Sequence, residues 1–131
     1  MLIVDSQVHV WAADTPERPW SLDLGDPQRP VPYGPDDLLR DMDQAGVQGA
    51  VLVPPLWEGR RNDLAIAAAK AHPKRFAVMA RLDPAAPASR ETLRELRGQP
   101  GVLGLRFAFQ TKKLVPLLTE GHAEWIWGLA Q

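Results

Sequence analysis

The chain contains no cysteine, which removes disulfides, thiolate metal ligands and a thiol nucleophile. Charge of one sign is lacking too. Fifteen Lys and Arg against sixteen Asp and Glu leave a net charge of −1, so nothing electrostatic points to a nucleic-acid or anionic-membrane partner. No apolar run approaches the roughly 18 residues of a membrane span. Met1 leads straight into Leu2-Ile3-Val4-Asp5 without a basic segment and a following apolar stretch. A secretory leader is therefore not expected, and a cytoplasmic location is. Gly-x-Ser-x-Gly, Gly-x-Gly-x-x-Gly and the phosphate-binding loop are absent as well, against serine-hydrolase, dinucleotide and nucleotide chemistry.

What is present fits one domain over residues 1–131, long enough to bury a core. Ile3 to Trp11 reads as a first strand. Its alternation puts Leu2, Val4, Ser6, Val8 and Val10 on one face and Ile3, Asp5, Gln7, His9 and Trp11 on the other. A long connection from Ala12 to Gly34 follows, with five prolines that exclude regular helix. Pro35-Asp36-Asp37 opens a helix that buries Leu38, Leu39, Met42 and Ala45 and closes at Gly46. Gly49 to Pro54 is an apolar strand of the kind buried on both faces. Asn62 or Asp63 caps an alanine-rich helix that stops at His72-Pro73.

Phe76 to Leu82 gives a third strand, Ser89 caps a third helix ending at Gly98, and Val102 to Phe107 gives a fourth strand. A last helix is expected from about Glu120 through Trp125, Ile126 and Leu129. The order βαβαβαβα implies parallel strands with right-handed crossovers. The fold class is α/β: about four of the eight units of a TIM-barrel-like domain, a half-barrel, since a whole barrel takes about 250 residues.

Several pieces resemble one family. Ile-Val-Asp-Ser-Gln-Val-His-Val-Trp (3–11), Leu39 to Val53, Asn62-Asp63 before the alanine-rich helix, His72-Pro73-Lys74-Arg75-Phe76, Arg81-Leu82-Asp83-Pro84 and Gly101 to Phe107 are similar to the amidohydrolase superfamily. The likeness is to its amidohydrolase-related branch of lactonases and decarboxylases, and to the first half of that family's barrel. It implies a hydrolase of a lactone or similar carbonyl. It also implies catalytic groups on later strands, so the 131-residue chain alone is expected to be poorly active.

In that family the first strand ends in His-x-His, which binds a divalent metal. Here the pair is Gln7 and His9. The resemblance thus implies one zinc-like ion with His9 as ligand, while Gln7, a weak neutral donor, leaves metal-independent action equally open. His9 is the candidate catalytic residue, against the reading of a core histidine bonded to a neighbouring strand. Gln7 is a substrate contact or a buried amide. Asp5 is an orienting acid.

On the fourth strand Val102, Gly104 and Arg106 share one parity, and Leu103, Leu105 and Phe107 the other. Arg106 then points into the barrel and suits a substrate carboxylate, unless Asp5 or Asp83 pairs it. Arg81 has a similar case, with the parity of its strand unresolved. Trp11 is a candidate substrate contact, against the more common reading of plain packing, and the proline-rich loop is a cover over the site. The expected partner is a small molecule bearing a carboxylate. The alternative is a non-catalytic half-barrel whose open sheet edges, the first and fourth strands, associate with each other.

Overall fold

Four short strands pair in parallel in the order β1-β2-β3-β4: β1 (Val4–Val8), β2 (Gly49–Leu52), β3 (Phe76–Ala80) and β4 (Val102–Leu105). The structure, a computed structural model, describes residues 1–109 and 115–130. Helices α1 (Pro35–Ala45), α2 (Asp63–Ala71) and α3 (Ser89–Arg97) connect the strands, as the hydrophobic pattern predicts. Beyond β4 the expected last helix is α5 (Glu124–Ala130), starting four residues later than about Glu120, and a short α4 (Val115–Thr119) that the pattern does not predict precedes it, with Gly121 at φ +74° between the two.

Local chemistry sets the boundaries. The Gly34 N–H donates to the Asp37 carboxylate at 3.0 Å, Pro35 occupies the first turn of α1, and Gly46 ends it at φ +70°. Asn62 precedes α2 without capping it, and Ser89 lies inside α3, where its hydroxyl donates to the Asp83 carbonyl. Of the caps the sequence offers, Asn62 or Asp63 for α2 and Ser89 for α3, the Asn62 and Ser89 side chains bond Arg81 and Asp83 instead.

One face of the sheet is covered by helices. Leu52, Val78 and Ala80 are fully buried there among Leu38, Met42, Ala65, Ala68 and Ala69. The alanines of α2 let its backbone lie close to the turn before β4. A Cβ on Gly101, at φ +84°, would sit 2.8 Å from the Ala69 Cβ. A smaller core joins Leu82, Leu93, Ala123 and Ile126, with Leu105 and Phe107 packed against it, so α5 covers the end of β4.

Two bulges correct the parity expected from strict alternation. Asp5 pairs with Ala50 and Val8 with Leu52, so Ser6 and Gln7 together face Val51. Asp5 therefore belongs to the helix-covered side and Val4, paired with Gly49, to the open side, the reverse of the expected rows. On β4, Val102 pairs with Val78 and Gly104 with Met79, which makes Leu103 the extra residue, 70% exposed. Val102 is thereby moved off the face it was expected to share with Arg106. Gly104 and Arg106 keep the predicted side.

Candidate active site

The last residues of the strands, Val8, Leu52, Ala80 and Leu105, all belong to the helix-covered face by their pairing. The next residue on each strand accordingly turns to the open face: His9, Val53, Arg81 and Arg106. Pairing continues just far enough to hold them, through Val53 N–H to the Val8 carbonyl (2.9 Å) and Arg106 N–H to the Ala80 carbonyl (2.8 Å). One imidazole and two guanidinium groups thus stand on the C-terminal rim of the sheet, where parallel barrels collect their chemistry.

His9 is half-buried, and its Nδ1 lies 2.7 Å from the Val53 carbonyl oxygen. A carbonyl only accepts, so Nδ1 carries the proton. In the neutral ring Nε2 is then a free lone pair, with no hydrogen bond to any described residue. The ring accepts a proton or a hydrogen bond through Nε2, and donates there only as imidazolium.

Arg81 settles the open parity of β3. Phe76, Val78 and Ala80 are buried under the helices, leaving Ala77, Met79 and Arg81 on the open side. Asn62 holds it by the backbone: Arg81 N–H donates to Asn62 Oδ1 (2.7 Å) and Asn62 Nδ2 donates to the Arg81 carbonyl (2.9 Å). The guanidinium donates through Nε to the Pro54 carbonyl. Burial and then the neighbouring Arg106 charge lower its pKa from the ordinary arginine value.

Arg106 donates to the Phe107 carbonyl. Among the described residues neither guanidinium has a carboxylate partner. Asp83 takes Arg60 and the Ala85 N–H, and Asp5 takes the Gln7 N–H at 3.0 Å. The pairing of Arg106 with either acid, open from the sequence, is not made.

Gln7 lies at the β1 bulge, exposed, with no hydrogen bond from its side chain to a described residue. Trp11 is placed differently from the expectation of a pocket lining. It is 2% exposed, 5.5 Å from both Tyr33 and Trp57, and its indole N–H donates to the Val31 carbonyl. Its surface is spent on packing the start of the long loop.

The residue that sequence reasoning passed over is Glu58, in a three-residue turn Leu56–Glu58 after β2. It is 2% exposed and accepts from Ala12 N–H (3.0 Å), Arg18 Nε (3.0 Å) and Arg61 Nε (3.1 Å). Arg18 reaches on to Asp63 with both terminal nitrogens, at 2.7 and 3.0 Å. Those bonds raise the Arg18 pKa and lower that of Asp63. At its far end the loop is tied by Trp11–Tyr33 backbone bonds and by the Tyr33 hydroxyl, which donates to Asp41 at 2.6 Å. Burial and that acid push the Tyr33 pKa up to about 12. A lone Glu between Trp57 and Gly59 carries no periodic signal that would mark it as buried.

Among the described residues no three His, Asp or Glu side chains gather as a metal site. The rim's free donors are one imidazole nitrogen and the neutral Gln7 amide, with Asp5 on the opposite face. This set does not fit a divalent metal, which takes several imidazole or charged ligands. Among the described residues no helix is long and apolar enough to cross a membrane.

Comparison with known proteins bears on the fold and the family. Solved structures with the same fold include a probable 2-pyrone-4,6-dicarboxylic acid hydrolase from Acinetobacter baumannii with citric acid bound, 19% identical at a TM-score of 0.66 over 96% of this chain. They also include an amidohydrolase from Burkholderia multivorans with bound HEPES, 20% identical at a TM-score of 0.67 over 94%. The same Burkholderia amidohydrolase was solved with bound zinc, at a TM-score of 0.65. The chain spans under half the length of these structures, 47, 42 and 43% respectively, as half of a (β/α) barrel does. No curated protein matches. The amidohydrolase family model matches residues 4–123, nearly the whole chain, and on that ground this chain belongs to the amidohydrolase family.

Proposed function

We propose that this chain forms the anion-binding side of a hydrolase site for a lactone or similar carbonyl compound that carries carboxylates. The observation that supports this most is the pair Arg81 and Arg106. Two half-buried cations on neighbouring strand ends, without an acid between them, are stable beside an anionic ligand and costly without one. A carboxylate takes two parallel N–H bonds from a guanidinium, which orients the substrate as well as holding it.

In the reaction a water oxygen attacks the substrate carbonyl carbon and the bond to the ring oxygen breaks. The water's proton passes to His9 Nε2, the lone pair left free by the Val53 bond, and is returned to the departing oxygen. The products are a carboxylic acid and an alcohol or enol. The described residues do not fit a metal, and none of these steps needs one. The 2-pyrone-4,6-dicarboxylate named for the Acinetobacter protein is the natural first substrate to try. Slow loss of pyrone absorbance with the chain present, as expected of a poorly active half-barrel, and about a hundredfold slower loss still with Arg106→Ala, is the expected result. Equal rates for the two proteins, or none for either, count against the reading.

The open edges support a second reading, association without catalysis. Leu2, Ile3 and Val4 at β1 and Leu103 at β4 are 76, 39, 50 and 70% exposed. Pairing β1 of one copy with β4 of another would cover them and close eight strands from two chains. Sedimentation decides: a stable dimer supports this reading and a monomer at high concentration rejects it.

A further inference from the structure

The turn that carries Glu58 lies between the long loop and the His9 ring. Trp57 meets His9 edge-on at 6.0 Å and 71°, and Trp11 edge-on at 5.5 Å and 80°. Its indole nitrogen is buried without a hydrogen-bond partner among the described residues. Nothing polar on the ring therefore orients it. Packing and the backbone of its own turn do. The Trp57 carbonyl accepts from Ser21 N–H at 2.7 Å, so the same residue touches His9 with its ring and the loop with its backbone.

We infer that Glu58 is a positioning residue for His9, acting through Trp57, and that it makes the loop of residues 12–34 a fixed wall of the rim. The buried carboxylate collects Ala12 N–H, three residues past His9, together with Arg18 from the loop and Arg61 from its own side. Arg61 also donates to the Pro19 carbonyl and Trp20 Nε1 to the Ala12 carbonyl. With Glu58 in place the turn cannot rotate without breaking charge-assisted bonds out of water, so Trp57 stays against the imidazole and the wall stays shut. Without it Trp57 keeps only the Ser21 bond to its carbonyl, and the His9 ring only its bond to Val53.

The test is independent of turnover. Amide exchange and the nitrogen shifts of the His9 ring are measured for the full chain, for Glu58→Gln and for Arg18→Gln. Arg18→Gln removes the loop's half of the clamp and leaves the buried acid with Arg61 and Ala12, so it tests the idea even if Glu58→Gln fails to fold. The expected result is exchange about tenfold or more faster at Ala12 and Ser21, the loss of one charge-assisted bond. Exchange at Leu52 and Val78 is expected to stay as it was, and the His9 shifts to move. Arg18→Gln with unchanged exchange at Ala12 and Ser21, or with His9 shifts that match the original chain, overturns the assignment. Equal speeding at Leu52 and Val78 also overturns it, because that is a loss of overall stability. None of these results bears on whether the rim hydrolyses a lactone.

Discussion

Arg81 and Arg106 are each the first residue past their strand, and each charge raises the cost of the other. Such an arrangement is destabilising in the empty protein and stabilising once an anion lies between the two groups. Arg106→Gln is therefore expected to raise the melting temperature slightly, by the equivalent of about 0.5–1 kcal/mol, because a half-buried like-charge contact disappears. Citrate is expected to raise the melting temperature of the original chain and to leave that of Arg106→Gln unmoved. Thermal unfolding of both proteins with and without citrate checks the two statements together.

The His9–Val53 bond makes a prediction about one proton. Nitrogen NMR of the neutral ring is expected to find the proton on Nδ1 and Nε2 bare. The opposite tautomer would mean that the imidazole is not held by Val53 and would remove His9 from the proton route.

Gly101 sets the approach of α2 to β4. Gly101→Ala adds a Cβ 2.8 Å from that of Ala69 and forces a left-handed backbone on an alanine. A loss of about 2–4 kcal/mol is expected from the strain and the overpacking together, measured by urea unfolding. Gly98→Ala, at φ −78° with no atom nearer than 3.5 Å, is the control and is expected to cost far less.

The Arg18–Asp63 pair gives a pH dependence. The folded-state pKa of Asp63 lies below its unfolded value, chiefly through its bond to Arg18. That contribution is complete above the unfolded pKa near pH 4 and is lost as the pH falls through the lower folded value. Asp63 is largely exposed, so the effect is modest. Acid titration of stability is expected to be shallower in Asp63→Asn than in the original chain, with the two curves parallel above about pH 5.

Much of this architecture is legible in the residues. Prolines, glycine caps and the alanine-rich stretch place α1 and α2, and continuous apolar runs place β2 and β3. The rim is legible too, as a polar residue directly after an apolar strand: Val8-His9, Ala80-Arg81 and Leu105-Arg106. The face assignment of Asp5 and Val102 fails for one reason. A bulge inserts a residue without any compositional mark, and every side chain beyond it changes sides. Glu58 is hidden for another, because its three partners come from Ala12, Arg18 and Arg61, separated in sequence and joined only by folding.

Arg81 and Arg106 are proposed to hold a carboxylate-bearing molecule at the rim. Calorimetric titration of the chain with 2-pyrone-4,6-dicarboxylate, repeated with Arg81→Ala and Arg106→Ala, tests this most directly. Saturable binding by the original chain is expected, weakened about tenfold or more in each variant. No binding by the original chain, or the same affinity in all three, would contradict it.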